Sequence, residues 1–131
     1  MASIHWEGLI RTSADEAWSA LRHVDQAHRL FSPVLTACVL DGNVRTVTFA
    51  NGMVARERIV DVDQTRRRLS YTVLGDMFEH HSASMQILPV DEHSCRFSWT
   101  SDFLPNDRAQ LVGPLVEQGS RALVANIEAG G

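Results

Sequence analysis

The stretch Ser94-Cys95-Arg96-Phe97-Ser98-Trp99-Thr100-Ser101-Asp102-Phe103 alternates residue by residue. Cys95, Phe97, Trp99, Ser101 and Phe103 fall on one face, and Arg96, Ser98, Thr100 and Asp102 on the other. Period two is the mark of a half-buried strand, and the first face is the one that belongs inside. After Leu104-Pro105 the period changes. Leu111, Leu115, Ala122, Leu123 and Ile127 recur mostly at spacings of three, four or seven, with Asp107, Arg108, Glu117, Arg121 and Glu128 elsewhere around the wheel. A strand feeding a long terminal helix anchors the rest of the reading. Gly113, Pro114 and Gly119 weaken this helix. Its first turns are expected to be kinked or irregular before Pro114, and straight from there to about Glu128.

Upstream of this strand the period-two signal repeats, broken at short intervals by turn chemistry. Asp41-Gly42-Asn43 and Asn51-Gly52 read as hairpin turns, with further breaks at 61–63, at Gly75-Asp76 and at 89–92. The strands are expected at 3–11, 34–40, 44–50, 53–61, 68–74, 80–88 and 94–103. Between the first two lie a short helix, with Ser13 as N-cap and Glu16 completing a capping box, and a second short turn through Val24 to Phe31. That turn ends before Ser32-Pro33, since a residue preceding proline avoids the helical region. One strand, two short helices, six more antiparallel strands and a terminal helix make an α+β order. A sheet of so many strands must curl, and the terminal helix is its natural cover.

The chain has 131 residues, 44% hydrophobic and 21% charged, the size and balance of one domain spanning 1–131 with a proper core. All twelve basic residues are arginine. Without lysine there is no Schiff-base chemistry and no phosphate loop ending in Gly-Lys. A net charge of −4 gives no global field to gather nucleic acid or anionic lipid, and the run Arg66-Arg67-Arg68 reads as a solvated hairpin end. No stretch approaches the apolar length that spans a bilayer and no basic-then-apolar leader opens the chain, so a cytoplasmic protein without membrane insertion is expected. Cys38 and Cys95 read as small apolar residues. His80 and His81 point to opposite faces of a strand, and His23, Asp25 and His28 lack a strong ligand spacing, so no metal and no cofactor are expected.

Alternation also sorts the other strands. Leu69, Tyr71 and Val73 face inward, as do His81, Ala83, Met85 and Ile87. At the Asn51-Gly52 hairpin a two-residue loop pairs Val47 with Arg56, whereas a three-residue loop pairs Arg45 with Glu57 and Phe49 with Met53. The second is preferred because it gathers Val47, Phe49, Met53, Ala55 and Ile59 on one face. It also carries Arg45 and Glu57 inward, directly opposite each other, where each can neutralise its partner.

Taken in order, Ser13-Ala14-Asp15-Glu16-Ala17-Trp18, Gly42-Asn43-Val44-Arg45, Glu57-Arg58-Ile59 with Asp63, Leu69-Ser70-Tyr71, Cys95-Arg96-Phe97-Ser98-Trp99 and Phe103-Leu104-Pro105 resemble the polyketide cyclase/dehydrase branch of the SRPBCC superfamily, relatives of START domains and of the birch-pollen-allergen type. The likeness covers nearly the whole chain. It implies a helix-grip fold, a seven-stranded curved antiparallel sheet around a long C-terminal helix, with a cavity between them for hydrophobic or aromatic small molecules. Some members bind or carry; others cyclise or dehydrate poly-β-ketone chains. The superfamily shares no catalytic motif.

On this reading Phe49, Met85, Phe97 and Trp99, with Leu111 and Leu115 of the helix, form an apolar and aromatic wall, weighed against plain core packing. Arg45, a candidate catalytic residue, and Glu57 orient a ketone or carboxylate of the guest, or form a structural pair at the sheet's rim. His81 is the one inward histidine and the candidate general acid/base, with Tyr71 as a second donor; the alternative is a histidine at the pocket mouth bonded to backbone or water. Three functions follow: binding of a hydrophobic or aromatic molecule, an aromatase/cyclase or dehydratase, and an interaction domain like the superfamily's chaperone co-activators with its cavity collapsed.

Overall fold

The computed structural model describes residues 2–130. Strand β1 (Ala2–Ile10) is followed by helix α1 (Ala14–Leu21), a single 3-10 turn (Val24–Gln26) and the one-turn helix α2 (Ala27–Leu30). Then come β2 (Leu35–Asp41), β3 (Val44–Phe49), β4 (Val54–Asp63), β5 (Arg68–Val73), β6 (His80–Asp91) and β7 (Ser94–Leu104). A second 3-10 turn (Asn106–Arg108) leads into α3 (Ala109–Glu128). The seven strands form one antiparallel sheet in the order β1-β7-β6-β5-β4-β3-β2, a meander closed at one edge by the return of β1. This is the helix-grip architecture. Register shifts in β2 between Leu35 and Ala37, in β4 between Ile59 and Asp61, and in β6 between Pro89 and Asp91 add local bend.

The inward faces follow alternation. Cys95, Phe97, Trp99, Ser101 and Phe103 of β7 are all buried, next to Ala83, Met85 and Ile87 of β6 and Leu69 and Tyr71 of β5. The β3–β4 hairpin takes the three-residue loop. Arg45 pairs with Glu57, and the Phe49 N–H donates to the Met53 carbonyl at 2.8 Å. Gly52 adopts φ +90°, the left-handed region that a side chain disfavours, while Asn51 Oδ1 accepts the Met53 N–H at 2.9 Å.

Five expectations need correction. Strand β4 runs through the expected break at 61–63, and β6 runs through Pro89 to Asp91, because in each a bulge absorbs the residue that breaks the alternation. Helix α3 passes through Pro114 without interruption; only the 3-10 turn ahead of it is irregular. Its buried stripe keeps Leu123 and Ile127 as expected, but its first half is Val112 and Val116, one position round the wheel from Leu111 and Leu115, which are half-buried. The capping box is half formed. Ser13 Oγ accepts the Glu16 N–H at 3.2 Å, but the Glu16 carboxylate accepts from the Thr12 hydroxyl at 2.7 Å instead of returning to Ser13. In the basic run, Arg67 reaches across to Asp15 of α1 at 2.7 Å, while Arg66 is exposed.

Candidate functional site

The inner face of the sheet and the N-terminal half of α3 do not meet completely. Between them lies a cavity with about 90 Å³ open to the centres of water-sized molecules. Its sheet wall is Val47, Phe49, Ala55, Met85 and Trp99; its helix wall is Leu111, Val112, Leu115, Val116 and Gly119. Loops complete the rim. Asn126 of α3 donates to the carbonyls of Leu30 and Ser32, both at 2.8 Å, and so fixes Phe31 against the ring of Trp99. Arg108 Nε donates to the Met77 carbonyl at 2.7 Å, tying the β5–β6 connection, with Met77 and Phe78, to the start of α3.

Polar groups reach this wall at four positions: Glu57, Tyr71, His81 and Ser101. Arg45 does not line the cavity. Its Nε donates to Glu57 Oε1 at 2.8 Å, its Nη1 to the Val24 carbonyl at 3.2 Å, and its guanidinium carbon lies 5.5 Å from the centre of the Tyr71 ring. Arg45 therefore joins the sheet to the turn between α1 and α2, with only 4% of its surface exposed. Burial holds the Tyr71 hydroxyl well above the usual phenol range, helped by the Glu57 carboxylate and opposed by Arg45. It is a neutral donor and acceptor at any physiological pH.

His81 replaces a rung of the sheet. Its Nδ1 accepts the Val73 main-chain N–H at 3.0 Å, while the Thr72 hydroxyl donates to the His81 carbonyl at 2.6 Å. A nitrogen that accepts an N–H bears no proton, so the hydrogen-bond pattern assigns the neutral ring's hydrogen to Nε2, 3.4 Å from Ser101 Oγ. Burial, with the charge of His80, lowers the His81 pKa to about 4, against the pull of Asp102. A neutral imidazole with Nδ1 occupied is a donor through Nε2; to act as a base it must first release Val73. Phe78 packs on it with ring centres 4.9 Å apart, and Tyr71 at 5.7 Å.

The structure thus brings Phe49, Glu57, Tyr71, His81, Met85, Trp99, Leu111 and Leu115 to one cavity. Phe97 is fully buried beyond that wall, between the rings of Trp6 and Trp99. Sequence reasoning did not single out Ser101, although alternation had already placed it inward, nor Val112 and Val116, which a rotated helical wheel reveals. Phe78 sits in an aperiodic connection and carries no such signal. Trp99 Nε1 is buried and, among the described residues, makes no hydrogen bond of standard geometry, but it lies near enough to the Tyr71 hydroxyl to oppose that group's upward shift.

A curved antiparallel sheet closed over an apolar hollow by its terminal helix defines a helix-grip protein of the ligand-binding type. The chain belongs to the family described as polyketide cyclase / dehydrase and lipid transport, which it matches over residues 1–130. Solved structures share the fold. A START superfamily protein from Mycobacterium smegmatis is similar with a TM-score of 0.82 at 14% identity, over 98% of this chain and 99% of that one. The Zhui aromatase/cyclase from Streptomyces sp. R1128 gives 0.79 at 18% identity, over 98% and 92%. A protein from Thermobifida fusca gives 0.80 at 25% identity, over 97% and 93%. No curated protein matches the sequence. Among the described residues, no helix is long and apolar enough to cross a membrane.

Proposed function

We propose that this protein binds a small hydrophobic or aromatic molecule in the cavity between its sheet and α3. The observation that carries the reading is the hollow itself. Its wall is almost wholly apolar, aromatic rings stand on two sides, and the few polar groups are gathered around Glu57, Tyr71 and His81. Burying a guest's apolar surface there contributes about 25 cal/mol per Å². With about 90 Å³ for water-sized centres, the cavity suits one ring or a short chain. NMR titration with toluene tests this. Saturable shifts confined to residues such as Phe49, Met85 and Leu115, abolished in Leu115→Trp, are expected; shifts that do not saturate, or that lie elsewhere, would overturn the reading.

The alternative is an aromatase/cyclase or dehydratase acting on a poly-β-ketone chain. What favours it is the presence of neutral donors, Tyr71 and His81, on an apolar wall where a developing enolate would be stabilised, along with the likeness to an aromatase/cyclase. The volume favours binding, since an extended chain requires α3 to move outward. Turnover of a poly-β-ketone mimic that His81→Ala removes would establish the enzyme. Saturable binding without product supports the binding protein. A chaperone co-activator-like interaction domain is supported less, because that reading expects a collapsed interior.

A further inference from the structure

We infer that the cavity selects guests carrying a hydrogen-bond donor, neutral or cationic, and turns away carboxylates, because its buried ion pair presents Glu57 to the guest and holds Arg45 behind. The inference rests on the binding reading above and names the chemical class of its ligand. Among the described residues that line the cavity, Glu57 is the one with a formal charge; His81 and Tyr71 are neutral. One carboxylate oxygen accepts from Arg45 Nε, and the other accepts no hydrogen bond from the described residues, with 12% of the side chain still accessible. Arg45, only 4% exposed, is committed to Glu57 and to the Val24 carbonyl.

The pair is therefore a fixed dipole with its negative end toward the hollow. In a low-dielectric pocket the orientation of such a dipole matters more than its zero net charge, because the near end interacts most strongly with the guest. A hydroxyl or ammonium donating to the free oxygen gains a charge-assisted bond. A carboxylate brought to the same place loses its hydration and meets a like charge, with neutral donors as its sole recompense.

Four single-ring probes of nearly equal size test this near pH 7.5: toluene, benzyl alcohol, benzylamine and benzoate, titrated by NMR against the wild-type chain. Benzyl alcohol and benzylamine are expected to bind at least as tightly as toluene, and benzoate about tenfold or more weakly than benzyl alcohol. If toluene fails to bind, the cavity reading falls and the inference with it. If toluene binds and benzoate matches benzyl alcohol, the inference alone is overturned. Glu57→Gln is expected to bring benzoate to within about twofold of benzyl alcohol; an undiminished gap in that folded variant overturns the assignment to Glu57. If Glu57→Gln does not fold, Arg45→Leu/Glu57→Leu, which buries no charge, takes its place. It should bind benzyl alcohol no better than toluene, and a retained preference for the alcohol would count against Glu57.

Discussion

The indole of Trp99 stands against the bare backbone of Gly119: a Cβ at that position would lie 3.1 Å from ring carbon Cζ3 and 3.6 Å from Phe31. A glycine in mid-helix costs about 1 kcal/mol relative to alanine, and here its smallness lets an aromatic wall come up to the helix. Sheet, helix and α2 all meet at this point.

Gly119→Ala sets that helix gain against a contact tighter than ordinary packing. Because Trp99 borders the hollow, its ring has somewhere to go, and the substitution is expected to leave stability within about 1 kcal/mol of wild type while weakening guest binding. Gly119→Leu should destabilise by about 1–3 kcal/mol and abolish the toluene shifts. Urea unfolding and the same NMR titration measure both.

Arg45 and Glu57 are worth more to each other than to the fold. Removing one partner, as in Arg45→Leu, leaves a buried carboxylate uncompensated and takes one donor from the Val24 carbonyl, which keeps the Cys38 thiol at 3.7 Å, with an expected loss of about 3–5 kcal/mol. Removing both, as in Arg45→Leu/Glu57→Leu, is expected to restore most of that loss. A double-mutant cycle by urea unfolding reads the coupling, and strictly additive losses would show that the two act independently.

His81 makes stability depend on pH. Its folded pKa of about 4 lies below its unfolded value, so between about pH 6.5 and 4 the unfolded chain binds the extra proton. Stability is therefore lost as pH falls through that window and is fully regained above it. In His81→Asn, Oδ1 can still accept the Val73 N–H, and no proton is taken up at that position. The variant's Tm should fall less steeply than wild type over the same range. His81→Ala, leaving Val73 N–H unpaired, is expected to cost about 1–3 kcal/mol at pH 7.5.

Pro114 lies within the stretch of α3 that covers the hollow, flanked by Val112 and Val116, and it cannot donate to the Gln110 carbonyl. Pro114→Ala restores that bond at an exposed position and is expected to stabilise by about 1–2 kcal/mol. Amide exchange in residues 109–118 should slow. If exchange there is unchanged, the proline does not govern the opening of this segment.

Strands, faces and the terminal helix were legible because side-chain period reports directly on which face meets water. The same alternation that placed Trp99 inward placed Tyr71 and Met85 there too, and together they account for much of the sheet wall. The bulges in β4 and β6 were not legible, since one inserted residue looks locally like the end of a strand. Leu123 and Ile127 of the α3 stripe were legible, but its first half, Val112 and Val116, was not, since apolar residues occupy adjacent wheel positions there and only the partner surface decides which of them turn inward.

Sequence alone determined that an antiparallel meander would close on a helix, because alternation is a local property, and it left two registers open at Asn51-Gly52, of which the structure takes the one that pairs Arg45 with Glu57. The tertiary structure decided which member of that pair looks into the hollow, that Phe97 lies behind the wall, and that His81 spends Nδ1 on Val73. Those outcomes depend on how separate elements meet in space. The Val24 carbonyl holds Arg45 back, and Val73 reaches His81 across a strand pair that ends one rung early, geometry that no run of adjacent residues encodes.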